Sequence, residues 1–238
     1  LLGIGGGTVM VPVFRLLFDM SAIMSTATSL FAIIPTSISG AVSHIRHKTC
    51  VPSLGLAAGI GGAVTSPLGV WLATLSPAWL IMVVAALIIG WSAVKMLGKA
   101  IKLPKASRSS EGADAAEPAA AASLPKLTRK QLLIGAAIGL GAGVASGYVG
   151  VGGGFIMVPL MLSFVGIPMR LASGTSLIAV MILAVPGVVE QALLGNINYF
   201  AGLAISIGSI PGAAIGARLV RRVPERMLRF IFGGFLIV

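Results

Sequence analysis

A glycine-rich motif that occurs twice constrains this chain more than any other feature. The first copy covers residues 3–14 and the second covers residues 150–161, and seven of the twelve aligned positions are identical. Glycine weakens a helix, and the proline in each copy removes a backbone donor and kinks the chain. Each copy therefore predicts a broken helix with backbone polar groups that are free to bond something outside that helix.

The composition predicts a membrane protein. Hydrophobic residues make up 57% of the chain, charged residues make up 10%, and the mean hydropathy is +1.04. Several apolar runs reach the length of about 20 residues that a helix needs to cross a bilayer. The net charge of +11 comes mainly from Lys and Arg between these runs, which indicates an orientation signal and no nucleic-acid partner. The single Cys50 excludes an intramolecular disulfide.

The two halves of the chain align without gaps at an offset of 147 residues. The Thr-Ser-Leu at 28–30 matches the Thr-Ser-Leu at 175–177, and several Gly and Pro positions coincide at the same offset. Chance rarely aligns Gly and Pro in this way, so we interpret the halves as a repeat.

This alignment divides the chain into three predicted parts. They are a first membrane repeat over residues 1–98, a flexible cytoplasmic linker over 99–130 and a second membrane repeat over 131–238. Residues 131–149 have no counterpart before Leu1. We therefore expect that the given sequence lacks an N-terminal helix; the alternative is that the halves differ.

The positive charges predict that the repeats have opposite orientations. Lys and Arg are enriched in cytoplasmic loops. The linker and the loop 44–48 carry such residues, whereas the loops 74–77 and 190–199 carry none. The loop 44–48, predicted inside, aligns with residues 191–195, predicted outside. The expected fold class is an all-α polytopic membrane protein with two inverted-topology repeats, each containing a Gly-broken re-entrant helical hairpin and three transmembrane helices.

The second Gly motif is expected at the turn of such a hairpin. The arm that follows it, near residues 155–166, has twelve residues and spans about 18 Å. A hydrocarbon core is about 30 Å thick. The arm is therefore too short to cross, and we expect the Gly turn to lie at depth.

The duplicated motif and the Thr-Ser-Leu that follows it resemble the sulfite exporter TauE/SafE family of bacterial membrane proteins. The resemblance covers essentially the whole chain and includes the Gly-rich third span of each half, Gly61 to Gly69 and Pro211 to Gly216. It implies a secondary transporter in the lipid bilayer of the bacterial inner membrane, exporting small sulfur-containing oxyanions such as sulfite or sulfoacetate. Alternatives are another small anion, uptake instead of export, and an anion-sensing membrane protein without transport. A homodimer is also left open.

The Gly motifs are the predicted substrate-binding site. Consecutive Gly residues let amide N–H groups approach an anion, and the helix start that follows adds a favourable dipole. The candidate substrate-binding residues are Gly5, Gly6, Gly7, Thr8, Thr28, Ser29, Gly152, Gly153, Gly154, Phe155, Thr175 and Ser176. The alternatives are that the Gly residues only allow close helix packing, and that the hydroxyl groups bond their own helix.

Charged residues and histidines near the spans have simpler interpretations. Glu190 and Asp19 are the acids that a proton-coupled transporter would use. Both lie near outer ends, where a solvated carboxylate, or for Asp19 a pair with Arg15, is the alternative. His44 and His47 are assigned to a cytoplasmic loop. We expect no metal, no cofactor and no enzymatic activity, and the Gly motif lacks the continuation of a nucleotide-binding loop.

Overall fold

The computed structural model describes residues 6–102, 128–220, 223 and 225–235, and these residues form α-helices without a β-strand. In chain order the α-helices are α1 Gly7–Leu17, α2 Ala22–Arg46, α3 Pro52–Leu75, α4 Ala78–Lys102, α5 Arg129–Val149, α6 Gly154–Leu160, α7 Met169–Leu193, α8 Tyr199–Leu219 and α9 Glu225–Phe235. The short α6 continues as a π-helical segment, Met161–Val165. Residues 103–127 of the predicted linker lie outside the described residues, and α4 extends past the predicted end of the first repeat.

Six helices are long and apolar enough to cross a membrane, namely α2, α3, α4, α5, α7 and α8. This confirms the prediction of an all-helical polytopic membrane protein. With 21 residues, α5 is about 31 Å long. The hairpin at the second Gly motif therefore has one full-length arm and one short arm, Gly154–Val165.

The helix boundaries repeat at the offset found in the sequence. Helices of the second half begin 147 residues after their counterparts, and the paired first residues are Gly7 and Gly154, Ala22 and Met169, Pro52 and Tyr199, and Ala78 and Glu225. The backbone turns repeat as well. Asp19 and Lys48 have positive φ angles, and so do their counterparts Gly166 and Gly195. A positive φ is uncommon for a residue with a Cβ, so the turns keep their geometry even where the glycine is absent.

The centre of the bundle is the antiparallel pair of α2 and α7. These helices are the most buried of the candidate spans. Leu30 of α2 packs on Gly187 of α7, and Leu177 of α7 packs on Gly40 of α2. The two contacts pair residue 30 with 187 and residue 40 with 177, so α2 and α7 run in opposite directions. The two contacts are counterparts, because Leu177 corresponds to Leu30 and Gly187 to Gly40.

Each of the two central helices, α2 and α7, also packs along a second long helix that belongs to the opposite half of the chain. The hydroxyl of Ser39 in α2 donates a hydrogen bond to the carbonyl of Ile210 in α8 (2.8 Å), and Ser43 reaches the carbonyl of Ala214 one turn later (3.5 Å). The helices α2 and α8 are therefore parallel. In the same way α3 packs along α7, and α5 covers the other side of α3.

The contact between α3 and α5 depends on glycine. A Cβ on Gly143 would overlap the carbonyl oxygen of Gly62 and the hydroxyl of Thr65, whereas a Cβ on Gly141 would meet nothing within 4 Å. The hydroxyl of Thr65 also donates to the carbonyl of Leu140 (2.7 Å). Small residues thus bring two backbones into contact, which is how helices associate where lipid removes the hydrophobic driving force.

We expect Gly143→Ala to destabilise the folded protein and Gly141→Ala, on the same helix, to leave its stability unchanged or slightly higher. The methyl group at position 143 would force α3 and α5 apart, at a cost of about 1–3 kcal/mol. The measurement is the thermal unfolding midpoint in detergent. Equal midpoints for the two variants would show that the glycine contact is not needed.

Candidate anion site at the glycine turns

The two Gly turns meet halfway along the central helices. Val151 of the second turn lies against Gly7, the first residue of α1, and the side chain of Ile33 is close to both Gly7 and Gly152. Val180 also lies close to Gly152. Ile33 and Val180 are each the twelfth residue of a 25-residue helix. The structure thus brings the two predicted glycine motifs together at the middle of α2 and α7.

Each turn begins a helix. Gly6 and Gly153 are the N-cap residues of α1 and α6, and both adopt the left-handed conformation, with φ angles of 86° and 67°. The N–H of Gly154 donates to the carbonyl of Gly152 (2.8 Å). In the described part of the chain, the N–H groups of Gly153 and Phe155 donate to no oxygen, although both residues are buried. Buried N–H groups without a partner are rare, and they are the groups that an anion site requires.

The second turn is fastened on both sides. Gly150 packs on Thr26 of α2, and the hydroxyl of Ser29 donates to the carbonyl of Gly150. The N–H of Gly150 in turn donates to the carbonyl of Ser146 in α5 (2.7 Å). A helix of the first half and a helix of the second half therefore hold this turn in place.

Thr28 and Thr175 join helices of opposite halves. Thr28 Oγ1 accepts a hydrogen bond from the N–H of Asn198, the N-cap of α8 (3.0 Å). Thr175 Oγ1 accepts one from the N–H of Val51, the N-cap of α3 (2.9 Å). These bonds are counterparts at the repeat offset. The sequence analysis considered bonds to substrate or to the same helix, and neither interpretation anticipated a bond between halves. A role in substrate binding stays a prediction.

Of the two neighbouring serines, Ser176 bonds its own helix, whereas the shorter bond of Ser29 goes to Gly150 on another segment. The hydroxyl of Ser29 also reaches the carbonyl of Thr26 (3.3 Å), and that of Ser176 donates to the carbonyl of Ser173, one turn earlier (2.9 Å). The side chain of Phe155 is fully buried in the main hydrophobic cluster. Substrate binding by these residues is likewise a prediction.

The first turn is described only in part. Gly6 and Gly7 are placed as above, whereas Gly5 and the side chain of Thr8 lie outside the described residues.

The two acids predicted for proton coupling lie away from the Gly turns. Asp19 is exposed in the turn after α1, which ends at Leu17, so Asp19 does not share a helical face with Arg15. Glu190 lies in the last turn of α7, about 15 Å along the helix from Val180. One of its carboxylate oxygens is enclosed and has no partner among the described residues.

His44 corrects the prediction of an exposed loop histidine. It belongs to the last turn of α2 and is fully buried. Its Nδ1 is hydrogen-bonded with the hydroxyl of Thr49 (2.8 Å), and its ring packs on Gly174 of α7. The amide groups of Gln191 and Asn196 form the corresponding bond in the second half (2.8 Å). No group of three or more potential metal ligands comes together in the described ranges.

Cys50 is buried between α2 and α3 and packs with Ala41, Leu177 and Ile178. Burial raises the pKa of its thiol to about 11. The thiol is therefore protonated near neutral pH and reacts slowly, as expected for a packing residue.

The sequence analysis missed Ser146. This residue is fully buried in the last turn of α5, its Oγ has no partner in the described part of the chain, and its Cβ lies 3.4 Å from where a Cβ on Gly153 would be. A signal was present, because Ser146 comes four residues before the second Gly motif and follows a run, residues 132–145, made only of apolar residues and glycine.

The sequence profile of the family described as "Sulfite exporter TauE/SafE" matches residues 1–238. The chain belongs to this family. "Probable membrane transporter protein YunE" of Bacillus subtilis (strain 168) is 28% identical over 250 residues, which cover 100% of this chain and 89% of that protein. "Probable membrane transporter protein YdhB" of the same organism is 28% identical over 229 residues, 96% of this chain and 87% of the relative.

A shorter match involves "Probable membrane transporter protein MamO" of Paramagnetospirillum magneticum. It is 35% identical over 105 residues, which cover 41% of this chain and 16% of the relative. No solved structure matches the chain. The family and the names of these relatives agree with a membrane transporter and not with an enzyme.

We expect Thr175→Val to lower the free energy of unfolding by about 1–3 kcal/mol, because it leaves the buried N–H of Val51 without an acceptor. Thr74→Val is the matched control, since the exposed Thr74 donates to the carbonyl of Trp71 in its own helix. Thermal unfolding midpoints in detergent measure both effects. An equal shift in the two variants would contradict the bond between halves.

Proposed function

We propose that this protein is a secondary transporter that exports small sulfur-containing oxyanions, such as sulfite or an organosulfonate like sulfoacetate, across the bacterial inner membrane. Membership of the sulfite exporter TauE/SafE family supports the choice of substrate and direction. The single observation that carries the proposal is the meeting of two broken helix starts halfway along α2 and α7, where the N–H groups of the buried residues Gly153 and Phe155 donate to no oxygen in the described part of the chain.

The proposed anion site consists of backbone donors. The N–H groups of Gly153 and Phe155, at the start of α6, would donate hydrogen bonds to the bound anion. The positive end of the helix dipole adds to this attraction. Gly5, Gly6, Gly7 and Thr8 would supply the corresponding groups from the first half. The side chains close to the described turns are uncharged: Met10, Thr26, Ile33, Ala142, Ser146 and Val180. An anion held by neutral dipoles is bound without a fixed counter-ion, which favours its release.

The antiparallel arrangement of α2 and α7 supports inverted repeats in the membrane. These helices are counterparts at the offset of 147 residues and run in opposite directions. Together with the positive charges of the loops, this arrangement favours a cytoplasmic position for the linker 99–130 and for the loop 44–48.

Alternating access would move two groups of helices that differ from the two sequence repeats. The first body consists of α1, α2 and α8, and the second body consists of α3 to α7 and α9. Thr28 bonds α8 to α2, and Thr175 bonds α3 to α7. The contacts between α2 and α7, by contrast, place leucine side chains on glycines. Such a contact can slide without breaking a hydrogen bond, so we place the moving surface between α2 and α7. The hydrogen bond from Ser29 of α2 to the carbonyl of Gly150 also joins the two bodies and would have to break when they move.

Disulfide cross-links distinguish motion of these bodies from motion of the repeats. In a Cys50→Ala background, a link between Gly40→Cys and Leu177→Cys should stop transport, because it joins the two bodies. A link between Ser39→Cys and Ile210→Cys should leave transport intact, because both positions lie in the first body. Anion flux is measured in proteoliposomes after oxidation and again after reduction. Full flux with the first link closed, or loss of flux with the second, would refute the assignment of the bodies.

Flux assays also test the site itself. Proteoliposomes are offered sulfite, sulfoacetate, sulfate and chloride, and we expect selective flux of the sulfur anions. Gly153→Ala should reduce this flux at least about tenfold, because its methyl group strains the left-handed turn and occupies the site. Gly166→Ala is the matched control, with a φ of 75° and open space around the added Cβ. Equal flux in the two variants would remove the Gly turn from the pathway.

The same assay addresses coupling. Flux that follows an imposed proton gradient would make Glu190 and Asp19 the acids to substitute first. Stabilisation of the protein by an anion without any flux would instead support the anion-sensing alternative.

A further inference from the structure

We propose that the hydroxyl of Ser146 is the side-chain donor of the anion site, and that the site selects groups carrying a single negative charge. Candidate ligands are hydrogensulfite and the sulfonate group of an organosulfonate. This inference rests on the proposed function, because it names the ligand contacts and the charge class at the same Gly turn.

The position of Ser146 supports the assignment. Ser146 lies in the last turn of α5, directly beside Gly153, the N-cap of α6. Its carbonyl is used by the N–H of Gly150, but its hydroxyl has no partner in the described part of the chain. The side chain is fully buried. The side chain of Ser146 therefore lies beside Gly153. In the described part of the chain the N–H groups of Gly153 and Phe155 donate to no oxygen, and we place one anion with several oxygens among these three donors.

The hydroxyl groups predicted from the sequence are less available. Thr28 Oγ1 and Thr175 Oγ1 already accept hydrogen bonds from backbone N–H groups, and the hydroxyl of Ser29 is donated to the carbonyl of Gly150. Recruiting them for a substrate would break bonds that hold helices and turns in place. Ser146 requires no such exchange, because its hydroxyl has no partner among the residues that the structure describes.

The residues around the turns determine which ligand charge the proposed site accepts. The side chains nearest to the described glycines of the turns are uncharged. The Born cost of burying an ion rises with the square of its charge, and neutral donors compensate a single charge far better than two. The site should therefore accept a sulfonate or hydrogensulfite and reject sulfate, which has similar oxygens but two charges.

Anion titrations on the purified full-length chain in detergent test both parts of the inference. Wild type, Ser146→Ala and Ser206→Ala are titrated with sulfite, methanesulfonate and sulfate, and the thermal unfolding midpoint reports binding. Ser206 is the matched control, because it is buried and donates to the carbonyl of Gly202 in its own helix (2.7 Å). The Michaelis constant for sulfite flux is measured in parallel.

We expect Ser146→Ala to weaken binding of methanesulfonate and sulfite at least about tenfold, because a hydrogen bond to a charged group is lost. Its midpoint without anion should be unchanged or slightly higher, since no bond of the empty protein is removed. A purely structural serine would show the reverse, a lower midpoint with normal affinity. Ser206→Ala should bind like the wild type.

Methanesulfonate should bind the wild type at least about tenfold more tightly than sulfate. Unchanged affinity in Ser146→Ala would overturn the role of Ser146 while leaving the proposed transport function in place. Sulfate binding as tight as that of methanesulfonate would overturn the selection for a single charge. If no anion raised the midpoint of the wild type, the proposed function and this inference would both fail.

Discussion

An unbonded N–H group in hydrocarbon costs several kcal/mol, and the arrangement of this bundle follows from where the chain places such groups. The broken helix starts lie halfway along α2 and α7, where Gly7 and residues 150–155 are buried in the protein. This position requires the central helices to approach closely. Gly40 and Gly187 allow it, because each receives a leucine side chain of the opposite helix.

The same constraint explains why long helices of one half pack on those of the other half. The N-terminal ends of α3 and α8 also carry N–H groups that have no acceptor within their own helix. In each helix a threonine of the opposite half accepts the hydrogen bond from the N-cap N–H, which belongs to Val51 in α3 and to Asn198 in α8. Neither half is complete alone, because separating the halves would remove the acceptors of the Val51 and Asn198 N–H groups. Two copies of one repeat thus become a single folding unit. In the proposed mechanism, the two moving bodies follow the packing of the helices and not the order of the sequence.

Much of the fold was predictable from the sequence, because Gly and Pro mark helix breaks directly. The repeat offset and the twelve-residue second arm follow from the sequence, and the structure has both. The partners of polar side chains did not follow, since spacing along one helix says nothing about a neighbouring helix. Thr175 was assigned to substrate or to its own backbone, and its partner is 124 residues away. His44 was assigned to a loop because charged neighbours hide the helix end.

The charge distribution separates two tasks that a transporter must perform. In the proposed transporter, arginine and lysine orient the chain through its loops, whereas the side chains nearest to the described glycines of the proposed site are uncharged. A buried cation would bind an anion more tightly, but it would also require a partner whenever the anion leaves. When no anion is bound, the free-energy cost of leaving neutral N–H and hydroxyl groups buried is smaller than that of a buried cation. The empty protein can therefore change conformation without first neutralising a charge. A dipolar site is therefore suited to a carrier that must return empty.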